Sequence, residues 1–136
     1  MNDEGTKHLE MIQAVISRMG QNSFAVKGWS ITLVTAILVL AKEVSSWPVF
    51  PIALLPCITF WGLDAYYLRQ ERLFRALYDA VRENRHKSDF PFSMNTSPYA
   101  QAVAQWIEVC FSKTIFGLYG PVTLIVAAIS YLTWKC

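Results

Sequence analysis

The segment FWGLDAYYL carries one carboxylate, Asp64, inside an apolar run. A charge in such surroundings costs free energy unless it is paired or hydrated, so it reads first as part of an ion path. A plainer, structural role is the stronger reading here. Lys27 stands at the leading edge of another apolar stretch, FAVKGWSITLVTAILVLA, at a depth equivalent to that of Asp64, and the two can form a structural ion pair. A second constellation is cationic: Arg69, Arg72, Arg75, Arg82 and Arg85 follow one another along LRQERLFRALYDAVRENR. Guanidinium groups grip phosphate through paired N–H donors. Copies of this segment gathered around an axis would focus enough positive field to bind a nucleotide or an oligonucleotide. Phe74, Tyr78, Phe90 and Phe92 could stack on its bases. In a single copy the arginines read more simply as a positive-inside anchor and the aromatics as core.

Catalytic patterns are sparse. His8 and His86 are the only histidines, neither with an evident cysteine or acidic partner in sequence, and no glycine-rich phosphate loop is present. Arg82 and His86 have three residues between them, one short of the minimal spacing in the ribonuclease motif of HEPN proteins. The three cysteines, Cys57, Cys110 and Cys136, show neither a disulfide framework nor metal-ligand spacing. Cys136 is followed by none of the residues a prenylation signal requires. The sequence therefore predicts no catalytic residues, no metal site and no cofactor.

These residues must be positioned by apolar elements. Hydrophobic residues form 54% of the 136-residue chain and fall into blocks, roughly Phe24 to Ala41, Trp47 to Leu68 and Thr114 to Trp134. About twenty apolar residues at 1.5 Å each cross a hydrocarbon layer of about 30 Å, and aromatic residues at the ends of such blocks suit the headgroup level. The predicted fold is an all-α membrane protein with three transmembrane helices, an N-terminal amphipathic helix and a cytoplasmic helical extension of the second span. Leu9, Ile12, Val15, Ile16 and Met19 recur at helical spacing over residues 1–22, and Gly20, Gln21 and Asn22 are expected to end that helix. Residues 23–68 hold the first two spans. Residues 69–113 form the cytoplasmic segment, in which Glu71 with Arg75 and Arg75 with Asp79 stand four apart and can pair. A loop interrupts it over 86–98, a helix resumes near Tyr99 and feeds the third span, and 114–136 completes the chain. Pro48 and Pro51 suit a helix start. Pro56 predicts a bend near Leu54 or Leu55, and Gly117, Gly120 and Pro121 predict a bend or a close helix approach early in the third span.

Lysine and arginine number three up to the leading edge of the first span, Lys27 included, one in the link around Ser45, seven between the second and third spans and one in the tail. That bias puts the N-terminus and the central segment in the cytoplasm, and the link and C-terminus outside. No small-residue cleavage site follows a short apolar run, so a cleaved signal peptide is not expected. Net charge is only +2, which argues against indiscriminate polyanion binding.

The run HLEMIQAVISRMGQNSFAVKGWSITLV, followed by FWGLDAYYLRQERLFRALYDAVR, resembles a family of small bacterial multi-helix membrane proteins, some of them encoded in antiphage defence operons. The shared residues include His8, Met11, Ile12, Arg18, Met19, Asn22, Ser23, Lys27, Gly28, Trp29, Trp61, Asp64, Tyr67, Glu71, Arg72, Leu73 and Tyr78, within the first two thirds of the chain. The chain is similar in this respect to HalA-like channel effectors of the Hailong system. The resemblance implies an inner-membrane, homo-oligomeric channel, a tetramer or larger, held shut by a DNA oligomer that a partner nucleotidyltransferase makes. The function expected is an oligomeric channel or membrane-disrupting effector gated by a cytoplasmic nucleotide or oligonucleotide, with membrane lipid around it. The alternative is a membrane-anchored binding module, in which the faces of Leu9, Ile12 and Val15 and of Leu73, Leu77 and Val81 meet a cytoplasmic partner protein. A secondary transporter would need paired inverted halves that the sequence lacks.

Overall fold

The computed structural model describes residues 3–43, 49–84, 87 and 90–135, and all regular structure among them is helical. Helix α1 runs without a break over Asp3–Glu43. Asp3 and Glu4 in its first turn and Lys42 in its last complement the helix dipole, and no proline intervenes. The interruption expected at Gly20, Gln21 and Asn22 does not occur, so the amphipathic segment and the first apolar stretch are a single helix. The reason is packing. His8, Ile12, Ile16, Ser23, Val26, Ser30 and Val34 form one continuous buried seam on either side of Gly20. That burial outweighs the cost of about 1 kcal/mol that a glycine adds to a helix interior. Gly20 itself faces the second helix, where an added Cβ would lie 3.9 Å from Glu71 Oε2.

Helix α2, Val49–Asn84, returns antiparallel to α1 and carries the second apolar stretch and the basic segment in one piece. Pro56 lies inside it, leaving the Ile52 carbonyl without its helical donor, yet the helix continues through. The link at 44–48, with Ser45, Trp47 and Pro48, lies outside the described residues, as do Arg85, His86 and Cys136. Lys87 and residues 90–96 form no helix. Within them Asn95 Oδ1 accepts from Ser97 N–H at 3.0 Å and Ser93 Oγ from Asn95 N–H at 3.1 Å.

The helix expected from Tyr99 into the third span is not continuous. A 3-10 turn at Ser97–Tyr99 gives way to turns and to an extended Gln105, whose N–H donates to Glu108 Oε2 at 3.1 Å. Helix α3, Trp106–Cys110, starts there, and the chain turns at Phe111 and Ser112 before α4, Lys113–Lys135. Periodicity alone could not register these breaks. They arise because Glu108 bonds the backbone of the residue that opens α3, and because the indole groups described below draw 104–110 along α2.

Two cores result. Ile12, Ile16, Leu77 and Val81 bury one another at one end of the α1–α2 hairpin, with Leu9, Phe74, Tyr78, Phe90, Met94 and Tyr99 around them. At the other end Val34, Ala53, Cys57, Ala65, Val109, Cys110, Ile115, Tyr119 and Val126 join α1, α2, α3 and α4. The α1 and α4 helices are long and apolar enough to cross a bilayer, and only 17% of each apolar window is buried inside the chain, unlike the core helix of a water-soluble protein.

Candidate functional site

Ser23, Lys27, Ser30 and Val34 recur along α1 at the spacing of a single helix face, and that face meets Asp64 on α2. Asp64 is fully buried. Lys27 Nζ lies 2.6 Å from Asp64 Oδ2 and 2.8 Å from Oδ1, and it donates to Ser23 Oγ at 2.8 Å. The Ser23 hydroxyl donates in turn to Asp64 Oδ1. The ammonium makes its well-angled hydrogen bond to Oδ1, so Oδ2 has an ionic neighbour and no hydrogen bond of its own. The Lys27 side chain keeps 24% of its surface exposed, so one end of the pair is reachable and the other is sealed.

Helix α4 closes the site with Tyr119, fully buried, whose hydroxyl faces Asp64 and Ser30 without completing a hydrogen bond to either. Its ring stacks on Trp61, centroids 6.0 Å apart and planes 8° from parallel. Thr123, one turn on, donates to the Tyr119 carbonyl at 2.7 Å, which leaves the Cys57 thiol as donor in the 3.3 Å contact between Cys57 Sγ and Thr123 Oγ1. Asp64 is thus the meeting point of three helices. Isolated, either charge would be expensive at this depth. Paired and fixed by hydroxyls, they form a neutral junction whose removal by halves is costly.

The basic segment is less concentrated than its sequence suggests. Arg69 Nε donates to the Ala104 carbonyl at 3.3 Å. Arg75 bonds Glu71 Oε1 at 2.9 and 2.7 Å, and the pair between Arg75 and Asp79 does not form, because Asp79 lies 3.6 Å from Arg82 instead. Arg72, partly buried, has no ion pair among the described residues. Phe74, Tyr78 and Phe90 pack on the core of Ile12 and Leu77, and Phe92 stands 4.4 Å, centroid to centroid, from the ring of His8. The His8 Nε2–H donates to the Ser93 carbonyl at 2.9 Å, tying the loop to α1.

Among the described residues, no other helix supplies the atoms nearest to a Cβ added at Gly117 or Gly120. Gly117 has open space beside it, and a Cβ on Gly120 would lie 3.3 Å from the Phe116 ring of its own helix; α4 continues through Pro121. Burial pushes the Cys110 thiol pKa up, which makes it a poor nucleophile. Among the described residues no group of three His, Cys, Asp or Glu side chains is placed to hold a metal ion. Ser30 and Tyr119 were not singled out by sequence, and Ser23 only among the residues that carry the resemblance. The two serines share the helical register of Lys27 and could have been found by that signal, whereas Tyr119, fifty-five positions beyond Asp64, leaves none. Against known proteins, the chain matches no family, no curated protein and no solved structure.

Proposed function

We propose that the chain is a three-span, homo-oligomeric channel or membrane-disrupting effector of a bacterial antiphage defence system, gated by a cytoplasmic nucleotide or oligonucleotide. The observation that carries this reading is the outward surface of the second core. Phe24, Trp29, Val39 and Leu40 on α1, Ile52, Leu55 and Ile58 on α2, and Leu124, Ile125 and Leu132 on α4 are all exposed. A contiguous apolar belt of this extent suits lipid or further copies of the chain. It supports a third span in α2, which lies alongside α1 and must return the chain to the side from which α4 departs.

Several copies are needed, because among the described residues the space between α1, α2 and α4 is filled by Val34, Ala53, Cys57, Tyr119 and Val126. Arg72, with the outward arginines Arg75 and Arg82, is the surface that repeated copies would offer to phosphate. The resemblance to HalA-like effectors supports a DNA oligomer as the ligand and a nucleotidyltransferase as its source. It also supports an inner-membrane placement, with the N-terminus in the cytoplasm and the C-terminus outside.

The competing reading, a membrane-anchored recruiter, relied on the faces of Leu9, Ile12 and Val15 and of Leu73, Leu77 and Val81; Ile12, Leu73, Leu77 and Val81 are buried, and Leu9 and Val15 are partly buried. The test is native mass in detergent, followed by ion flux from vesicles holding the purified chain. A mass of four or more protomers, with flux that an added DNA oligomer suppresses, is expected. A strict monomer that passes no ions would sink the proposal.

A further inference from the structure

Segment 104–111 descends along α2 instead of standing free of it. Arg69 Nε holds the Ala104 carbonyl at 3.3 Å, Trp106 Nε1 donates to the Gly62 carbonyl at 3.0 Å, and Trp61 Nε1 donates to the Cys110 carbonyl at 2.8 Å. These anchors on α2 move from Arg69 to Trp61, about two helical turns closer to its apolar end. The Trp106 indole lies so near the α2 backbone that a Cβ on Gly62 would be 3.1 Å from its Cζ2. Val109 and Cys110 turn inward, while Trp106, Ile107 and Phe111 remain 46%, 61% and 66% exposed.

Three large apolar groups so exposed would be a liability in water. Their surroundings name the occupant. Leu63, next to Gly62, and Tyr66, one helical turn on, are exposed too, as is Phe116 on α4, whose ring centroid lies 6.0 Å from that of Trp61, so the patch continues the apolar belt of the spans. It ends at exposed Lys113 and Glu108. Trp61 and Lys27 stand within one turn of Asp64 or directly against it, which sets the level at the boundary between the charged and apolar halves.

We propose that α3 and Phe111 form an in-plane anchor, with Ile107, Phe111 and the Trp106 ring embedded at the acyl edge of the cytoplasmic leaflet, as amphipathic interfacial segments are. The proposal rests on the membrane reading above and adds to it that the segment ahead of α4 is bound to lipid rather than to water or protein.

The test uses the full chain with its three cysteines replaced by alanine, a single nitroxide-labelled cysteine, and vesicles of phosphatidylethanolamine and phosphatidylglycerol. Collision of the label with oxygen reports lipid, and collision with a water-soluble nickel chelate reports water. Labels at Leu124, exposed on α4, and Glu10, exposed on the far end of α1, supply the two references. An Ile107 label is expected to favour oxygen over nickel several-fold more than the Glu10 label does, approaching Leu124. If Leu124 reports lipid and Ile107 reports water, the anchor fails and the membrane reading stands. If Ile107 is shielded from both reagents, protein covers it and the anchor fails. If Leu124 itself reports water, the membrane reading fails and the anchor with it.

Discussion

The two ends of the α1–α2 hairpin are built on opposite plans. At the end holding Ile12, Ile16, Leu77 and Val81, the interior is branched aliphatic and the exterior carries exposed or half-exposed ion pairs, Lys7 with Asp3, Arg75 with Glu71 and Arg82 with Asp79. At the other end the ion pair is inside and the aliphatic groups are outside, with Ala53, Cys57, Ala65 and Ser30 filling the narrow contact between helices. Small residues let helices approach closely where no hydrophobic effect drives them together, and large ones supply burial where water does. On the membrane reading proposed above, one pair of helices records two solvents along its length.

That contrast can be broken at either end. The largest effect is expected from Lys27→Leu, which leaves the sealed Asp64 carboxylate without its cation and should cost about 3–5 kcal/mol. Thermal unfolding in detergent measures it, and Lys27→Leu combined with Asp64→Leu should restore most of the loss. Equal damage in the single and double variants would show that the pair is not what joins the helices. At the opposite end, Ile12→Ala opens a cavity in a fully enclosed site and should cost about 2–5 kcal/mol, while Leu124→Ala on the outer face of α4 should change stability by no more than about 0.5 kcal/mol. Comparable losses in these two would erase the distinction between inner and outer faces. Thr123→Val removes the acceptor of the Cys57 thiol and the donor to Tyr119, and the expected loss is about 0.6 kcal/mol, typical of polar contacts between membrane helices. Arg75→Ala should cost as little as Leu124→Ala, about 0.5 kcal/mol or under, and the cost should vanish in molar salt, as exposed pairs do.

Much of this arrangement was legible in the residues. The seam of α1 repeats every three to four positions, and the equal depth of Lys27 and Asp64 in their apolar runs suggested that they meet, which they do at 2.6 Å. The continuity of α1 through Gly20 was not legible, because local propensity favours a stop there and only the contact with α2 overrides it. The breaks around α3 were equally hidden: Trp106 and Trp61 fix them through bonds to backbone carbonyls forty-four and forty-nine positions away. Tyr119 joins the Asp64 site for the same kind of reason, through a ring stacked on Trp61. For the basic segment the sequence overstated the free charge, since intrahelical acids and a backbone carbonyl occupy Arg69, Arg75 and Arg82.

The placement of the buried pair on two successive helices bears on how the chain is made. In a bilayer α1 enters ahead of α2, and the long Lys27 side chain can reach back to the headgroups while it waits. Asp64 has no such reach, and it arrives from the ribosome thirty-seven residues later. On the three-span reading proposed above, insertion of the second helix is favourable only beside the first, and a full chain carrying Lys27→Leu should deliver α2 to the membrane poorly. On that reading, the ion pair that locks the finished protein also couples the insertion of its first two helices.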